Sequence, residues 1–113
     1  MIFDLCLMFT VHYVADYWFQ TEKQALGKSG RDSESTWLLT KHVLTYSLPF
    51  LVLFGFKFAV VTFVLHWITD RMSAPLAAYF YKAGRLRRFH QVLGFDQLIH
   101  TFSLLFAYHH FVL

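Results

Sequence analysis

Three short stretches of the chain pair a histidine with an aspartate four residues away. "HYVAD" begins at His12, "HWITD" begins at His66, and "DQLIH", which begins at Asp96, has the pair in reverse order. A step of four residues turns a helix by about 400°, so the two side chains of each pair lie on the same helix face. Imidazole nitrogens and carboxylate oxygens that converge are good ligands for a divalent metal. The spacing therefore predicts a metal site.

The apolar surroundings of these pairs restrict where they can lie. An ionisable side chain within hydrocarbon is costly unless it faces the interior of a helix bundle and finds partners there. His42, within "LLTKHVLTY", lies at a comparable depth in a further apolar stretch. We therefore expect one cluster with contributions from every stretch. The predicted metal ligands are His12, Asp16, His42, His66, Asp70, Asp96 and His100.

Such a set has enough donors for one or two ions. Zinc suits the imidazole nitrogens, and manganese or magnesium would suit a site in which carboxylates dominate. A metal-bound water would be acidified and could attack a phosphoester or acyl group. This hypothesis gives catalytic roles to Asp16 and Asp70, and it gives Gln20 and Gln97 the task of orienting water or substrate. It describes a metal-dependent hydrolase.

Composition indicates the environment of the cluster. Of the 113 residues, 57% are hydrophobic and 20% are aromatic, which exceeds what a soluble domain of this size can bury. Most charges fall in 22–34 and 82–88, and the runs between them have very few. The single cysteine, Cys6, excludes a disulfide or a thiolate metal cluster within one chain. The composition predicts one integral membrane domain over residues 1–113.

Four segments are long enough to cross a bilayer as helices, which takes about 20 residues each. The expected fold is an all-α bundle of four transmembrane helices. Its predicted spans are about 1–20, 36–55, 56–81 and 92–113. Pro49 and Pro75 fall inside spans, where a proline bends a helix without necessarily ending it. Ser33 or Ser35 is the expected cap of the second span.

Basic residues predict the orientation of this bundle. The first and third connections lie on one face and are rich in lysine and arginine, whereas the other face has only Lys57 near it. The positive-inside rule makes the basic face cytoplasmic and puts both termini outside. The net charge of +3 then needs no nucleic acid. The expected partners are membrane lipids, anionic headgroups at the basic connections, and a second copy of the chain.

The two halves of the chain have a partial internal similarity. His12 and His66 occupy corresponding positions in spans one and three, and His42 and His100 do so in spans two and four. The similarity is incomplete, because Asp96 precedes His100 by four residues whereas Leu38 occupies the corresponding position before His42. The pattern indicates a partial duplication of a two-helix unit.

The ordered motifs "HYVADYWFQT", "LLTKHVLTY", "LHWITD" and "FDQLIH" resemble a family of small membrane proteins from bacteria and phages that is known only as a domain of unknown function. The resemblance spans essentially the whole chain and implies no established activity. More distantly, the layout looks like that of inner-membrane proteins described as metal-dependent hydrolases. The family resemblance implies that these residues belong to one pattern: His12, Asp16, Gln20, Thr21, His42, His66, Asp70, Asp96, Gln97 and His100.

Other functions fit the same residues. The cluster could conduct protons or metal ions, or it could stabilise a non-enzymatic membrane partner in the interaction between phage and host. Haem ligation fits less well, because carboxylates one turn from each histidine suit harder metals. His90, His109 and His110 lie outside the predicted layer, and we expect them at interfaces.

Overall fold

The computed structural model describes residues 1–18 and 27–113, and within these two ranges the chain is helical with no strand. Helix α1 leads directly into a π-helical turn, and three longer helices follow. Their bounds are Ile2–Tyr13 for α1, Val14–Trp18 for the π-helical turn, Ser33–Phe54 for α2, Phe56–Lys82 for α3 and Leu86–Phe111 for α4. The prediction of an all-α fold is confirmed.

Helix α2 begins at a carboxylate cap. The side chain of Asp32 accepts a hydrogen bond of 2.7 Å from the backbone N–H of Ser35, which satisfies one of the free donors in the first turn. The prediction that Ser33 or Ser35 would be the cap was wrong, because the acceptor lies one residue before the helix. The same hydrogen bond lowers the pKa of the Asp32 carboxyl below its ordinary value.

A single residue reverses the chain between α2 and α3. Gly55 has a φ of 92°, a conformation that residues with a Cβ rarely adopt. Its N–H donates to the carbonyl of Leu51, and its own carbonyl accepts from Ala59. Pro49 and Pro75 lie inside α2 and α3, and neither helix ends at its proline.

Apart from Ala15, which lies between His12 and Asp16, the apolar core lies on one side of the predicted metal ligands. In α1 and α3 the core residues Met8 and Phe58 precede the histidine, whereas in α2 and α4 Phe50 and Leu104 follow it. Because neighbouring helices run in opposite directions, these positions form one layer at the end of the bundle that contains Gly55. The core cluster consists of Met8, Ala15, Tyr46, Phe50, Phe58, Leu104, Ala107 and Tyr108.

The outside of the bundle is also apolar. Val52 is 84% exposed, and Met72 and Phe102 are more than half exposed on the other long helices. Among the described helices, α2 is the one that is long and apolar enough to cross a membrane by length and composition. Helices α3 and α4 are of similar or greater length, but they carry the ionisable residues of the cluster.

The cap predicts a specific pH dependence of stability. A carboxyl whose pKa is lowered by folding stabilises the protein above its ordinary pKa, and this contribution is lost as the pH falls through the folded value. Asp32→Ala should therefore lower the melting temperature at neutral pH, and the difference from wild type should narrow below pH 3.8, the ordinary pKa. Thermal melts from pH 7 to pH 2 measure this difference.

Asp32→Asn is the matched control, because asparagine caps helices about as well as aspartate. It should melt near wild type at neutral pH. If the difference in melting temperature between Asp32→Ala and wild type stays constant down to pH 2, Asp32 is not the cap of α2.

Candidate metal centre

All seven predicted ligands converge in the interior of the bundle. Each is buried, with at most 8% of the residue exposed. Helix α1 and the π-helical turn contribute His12 and Asp16, α2 contributes His42, α3 contributes His66 and Asp70, and α4 contributes Asp96 and His100. The shared depth inferred from sequence corresponds to a shared position in three dimensions.

Asp70 occupies the centre of this cluster and uses its two oxygens differently. Oδ2 lies 3.2 Å from Nε2 of His66 and 3.5 Å from Nε2 of His42. Oδ1 lies 3.1 Å from Nε2 of His100. One carboxylate therefore connects histidines from three helices.

Two groups of side chains have the spacing of a metal site. The first comprises Asp16, His42, His66 and Asp70, and the second comprises Asp70, Asp96 and His100. Within each group, one ligand atom per residue lies within 4.8 Å of all the others. Asp70 belongs to both groups, and every member is buried. These groups could hold a metal ion.

The charge of the cluster favours a bound cation when its imidazoles are neutral, the form in which histidine binds a metal. Three carboxylates lie close together, and Nζ of Lys28 lies 3.0 Å from Oδ2 of Asp70. With neutral imidazoles, three carboxylates against one ammonium leave a net charge of −2 in a buried site, which is unfavourable without further compensation. One divalent ion would neutralise it.

The ring orientations of His42 and His66 agree with a metal ion bound between the carboxylates. Nε2 of His42 lies 3.1 Å from Oδ1 of Asp16, and Nε2 of His66 faces Asp70. Among the described residues, neither Nδ1 of His42 nor Nδ1 of His66 has a hydrogen-bond partner. Each imidazole therefore directs its partnered nitrogen toward the carboxylates, where a cation would lie between them.

Gln97 links the two groups through its amide. Nε2 donates to Oδ2 of Asp16 at 3.0 Å and to Oδ2 of Asp96 at 3.1 Å. Its Oε1 must then accept, so Nε2 of His12, 3.0 Å away, is the donor. Nδ1 of His12 lies 2.6 Å from the hydroxyl of Tyr46. Both ring nitrogens of His12 have partners, and His12 belongs to neither ligand group.

Two further residues of the site were not among those predicted. The hydroxyl of Ser73 donates to Oδ1 of Asp96, and the ammonium of Lys28 pairs with Asp70. Arg71 donates to the carbonyls of Gly30 and Arg31, which fastens the segment around Lys28 to α3. In sequence, Lys28 is one of two lysines in the first polar connection, and nothing local distinguishes it from Lys23.

Five further residues singled out from the sequence are not among the cluster residues that the structure describes. Gln20 and Thr21 lie outside the described residues. His90, His109 and His110 are exposed on the surface of α4. They lie outside the cluster, as expected from the sequence, and their interfacial position stays a prediction.

A family model described as a protein of unknown function, DUF3307, matches residues 5–113. The chain belongs to this family. The match includes every residue of the cluster and confirms the resemblance inferred from the ordered motifs. No curated protein and no solved structure matches the chain. The more distant resemblance to metal-dependent hydrolases therefore has no support from known proteins.

The position of Gln97 gives a direct test of the site geometry. Gln97→Glu has the same shape, but it directs a carboxylate oxygen at Asp16 and Asp96 where the wild type has an N–H donor. The loss of these buried hydrogen bonds should destabilise the protein by about 1 to 3 kcal/mol, and like-charge repulsion should add to the loss. Thermal and chemical unfolding measure the effect.

Gln91→Glu is the control for this change. Gln91 lies on the exposed surface of the same helix, where it accepts a hydrogen bond from Arg88. We expect the stability of the Gln91→Glu protein to stay close to that of wild type. Equal stability of the two variants would show that the Gln97 amide does not connect the carboxylates.

Proposed function

We propose that this chain is a multi-pass membrane protein whose cluster binds two divalent ions that share Asp70. In this proposal, water bound to one ion hydrolyses a phosphoester or a lipid-like ester. The observation that carries the proposal is the membership of Asp70 in both ligand groups.

The two groups differ in the number of protein donors. The first has four, which is the full set of a tetrahedral ion, whereas the second has three and leaves a position for water or substrate. Paired ions about 3.5 to 4 Å apart are typical of hydrolytic sites, where they stabilise both the attacking and the leaving oxygen. We therefore assign the reaction to the second group, Asp70, Asp96 and His100.

The proposed roles follow from the contacts of each side chain. Asp16 and Asp70 balance the charge of the ions. Gln97 orients the carboxylates of both groups, and His12, held by Tyr46, orients Gln97. A direct ligand role for His12 and the role of Gln20 stay predictions from the sequence.

Zinc is the first metal to test, because imidazoles supply three of the donors in the two groups. Manganese and magnesium are the alternatives, since the carboxylates of Asp16, Asp70 and Asp96 are also available. The three metals can be distinguished by elemental analysis of purified protein.

The membrane assignment is supported by the distribution of side chains. Large apolar residues cover much of the outside of the bundle, and the ionisable residues of the cluster are buried, which is the arrangement favoured in lipid. The connection between α3 and α4 contains Arg85 and is followed by Arg87 and Arg88, all exposed. By the positive-inside rule this end is cytoplasmic, so substrate would reach the site from the inner leaflet of a bacterial membrane.

Ion conduction is less well supported. On the side of the cluster toward Gly55, much of the core consists of apolar side chains such as Met8, Phe50 and Phe58, which provide no relay for protons or ions. The core hydroxyls of Tyr46 and Tyr108 bond separately, to His12 and to Asp4. A structural metal in a non-enzymatic membrane protein is the alternative that the experiments below distinguish.

Metal stoichiometry tests the shared carboxylate. Wild type should contain two ions per chain, Asp96→Asn should retain one, and Asp70→Asn should lose both or bind them at least about tenfold more weakly. Asparagine keeps the shape of aspartate but removes the charge that balances a cation. The measurement is elemental analysis of protein purified in detergent, with a thermal melt of each variant.

His109→Ala combined with His110→Ala is the control, because both residues are exposed and should leave the metal content unchanged. Undiminished metal in Asp70→Asn would reject the site.

Hydrolysis is tested separately from metal content. Metal-loaded wild type should hydrolyse fluorogenic phosphoesters or phospholipids, and Asp96→Asn should lose this activity while it keeps one ion. Bound metal with no turnover of either substrate class would favour the structural role.

A further inference from the structure

A cavity of about 520 Å³ lies beside the cluster at the basic end of the bundle. Asp16, Asp70, Asp96 and Gln97 form the part of its wall that belongs to the site. The same cavity is also lined by Lys28, Lys82, Tyr17 and Tyr81. A substrate that entered this cavity would lie beside Lys28 and Lys82 as well as the cluster.

The sign of the charge in this cavity depends on metal. Three carboxylates against two ammonium groups leave a net charge of −1 when the imidazoles are neutral, which disfavours an anion. One divalent ion changes the net charge to +1, and a second raises it further. An anionic ligand therefore fits the metal-loaded cavity and not the metal-free one.

Lys28 contacts a proposed metal ligand directly, so a bound metal ion would act on its ammonium group. Its ammonium lies 3.0 Å from Oδ2 of Asp70, the oxygen that also faces His42 and His66. A metal ion bound to that oxygen would lie about 2.0 to 2.2 Å from it, and the two cations would repel each other. The side chain is 16% exposed and has a flexible four-carbon stem, so it can turn away from Asp70.

We infer that Lys28 is a metal-switched anion-binding residue. Metal binding displaces its ammonium from Asp70 into the cavity, where it binds the phosphate or phosphoester group of the substrate together with Lys82. This inference rests on the proposed metal site and adds to it a substrate class and the residue that recognises it. The lysine thus neutralises Asp70 in the empty site and binds the anion in the loaded one.

The test is phosphate binding by the full-length protein, measured by calorimetry with inorganic phosphate, with and without metal. Metal-loaded wild type should bind phosphate, and metal-free protein should bind it at least about tenfold more weakly. Lys28→Met should weaken binding to the loaded protein by about tenfold or more, the loss expected for one charge-assisted hydrogen bond. Lys57→Met is the matched control, because Lys57 is exposed at the opposite end of α3.

Metal affinity provides a second readout that a merely structural lysine would not give. Without the competing ammonium, the empty site of Lys28→Met is more negative, so its affinity for metal should rise while its affinity for phosphate falls. Lys28→Gln, which keeps a polar end on the side chain, should behave in the same way and replaces Lys28→Met if that variant does not fold. Phosphate binding unchanged in a folded, metal-loaded variant overturns the inference.

The two proposals fail in different ways. Wild-type protein that binds no metal rejects the proposed function, whereas metal without phosphate binding rejects the role of Lys28 alone. Vesicles that contain a phosphomonoester lipid, compared with zwitterionic vesicles, then show whether the phosphate belongs to a lipid headgroup. Preferential binding to the phosphomonoester vesicles assigns a lipid, and equal binding to both vesicle types assigns a free phosphate compound.

Discussion

A carboxylate buried in a small bundle needs positive charge or hydrogen-bond donors around it, and Asp70 obtains them from several parts of the chain. His66 lies one turn earlier on the same helix, His42 and His100 reach it from α2 and α4, and Lys28 reaches it from the segment before α2. Because an uncompensated buried charge would cost several kcal/mol, these contacts constrain the packing of all these elements. The relative positions of the other ligands follow from this constraint.

The apolar core supports the same arrangement from one side. Aromatic contacts bring the Gly55 turn and the chain termini together, since Phe54 packs on Phe58 and Tyr108, and Tyr108 donates to Asp4. Water is therefore excluded on this side of the cluster. The cavity lies on the other side, and chemistry at the buried cluster would take place in a setting of low dielectric, where electrostatic interactions are strong.

The two "HxxxD" motifs show how local geometry changes the outcome of the same sequence pattern. In α3, Nε2 of His66 lies 3.2 Å from Oδ2 of Asp70, as the four-residue step predicts. In the first motif a π-helical turn begins at Val14, between the two residues, and π-helical geometry has more residues per turn. His12 therefore contacts Tyr46 and Gln97, whereas Asp16 contacts His42. The two histidines consequently have different surroundings.

The sequence by itself determined the helices and the residues on their inner faces. Residues four apart share a helix face wherever the backbone is α-helical, and the apolar runs predict the number and order of the helices. They did not predict every end, because α4 begins at Leu86, inside the basic connection and before the predicted span of 92–113. Only the tertiary structure decided which inner residues meet: Lys28 pairs with Asp70 across 42 positions and His12 with Gln97 across 85. Such contacts depend on the packing of whole helices, because side chains distant in sequence come within hydrogen-bonding distance only when the helices that carry them have docked.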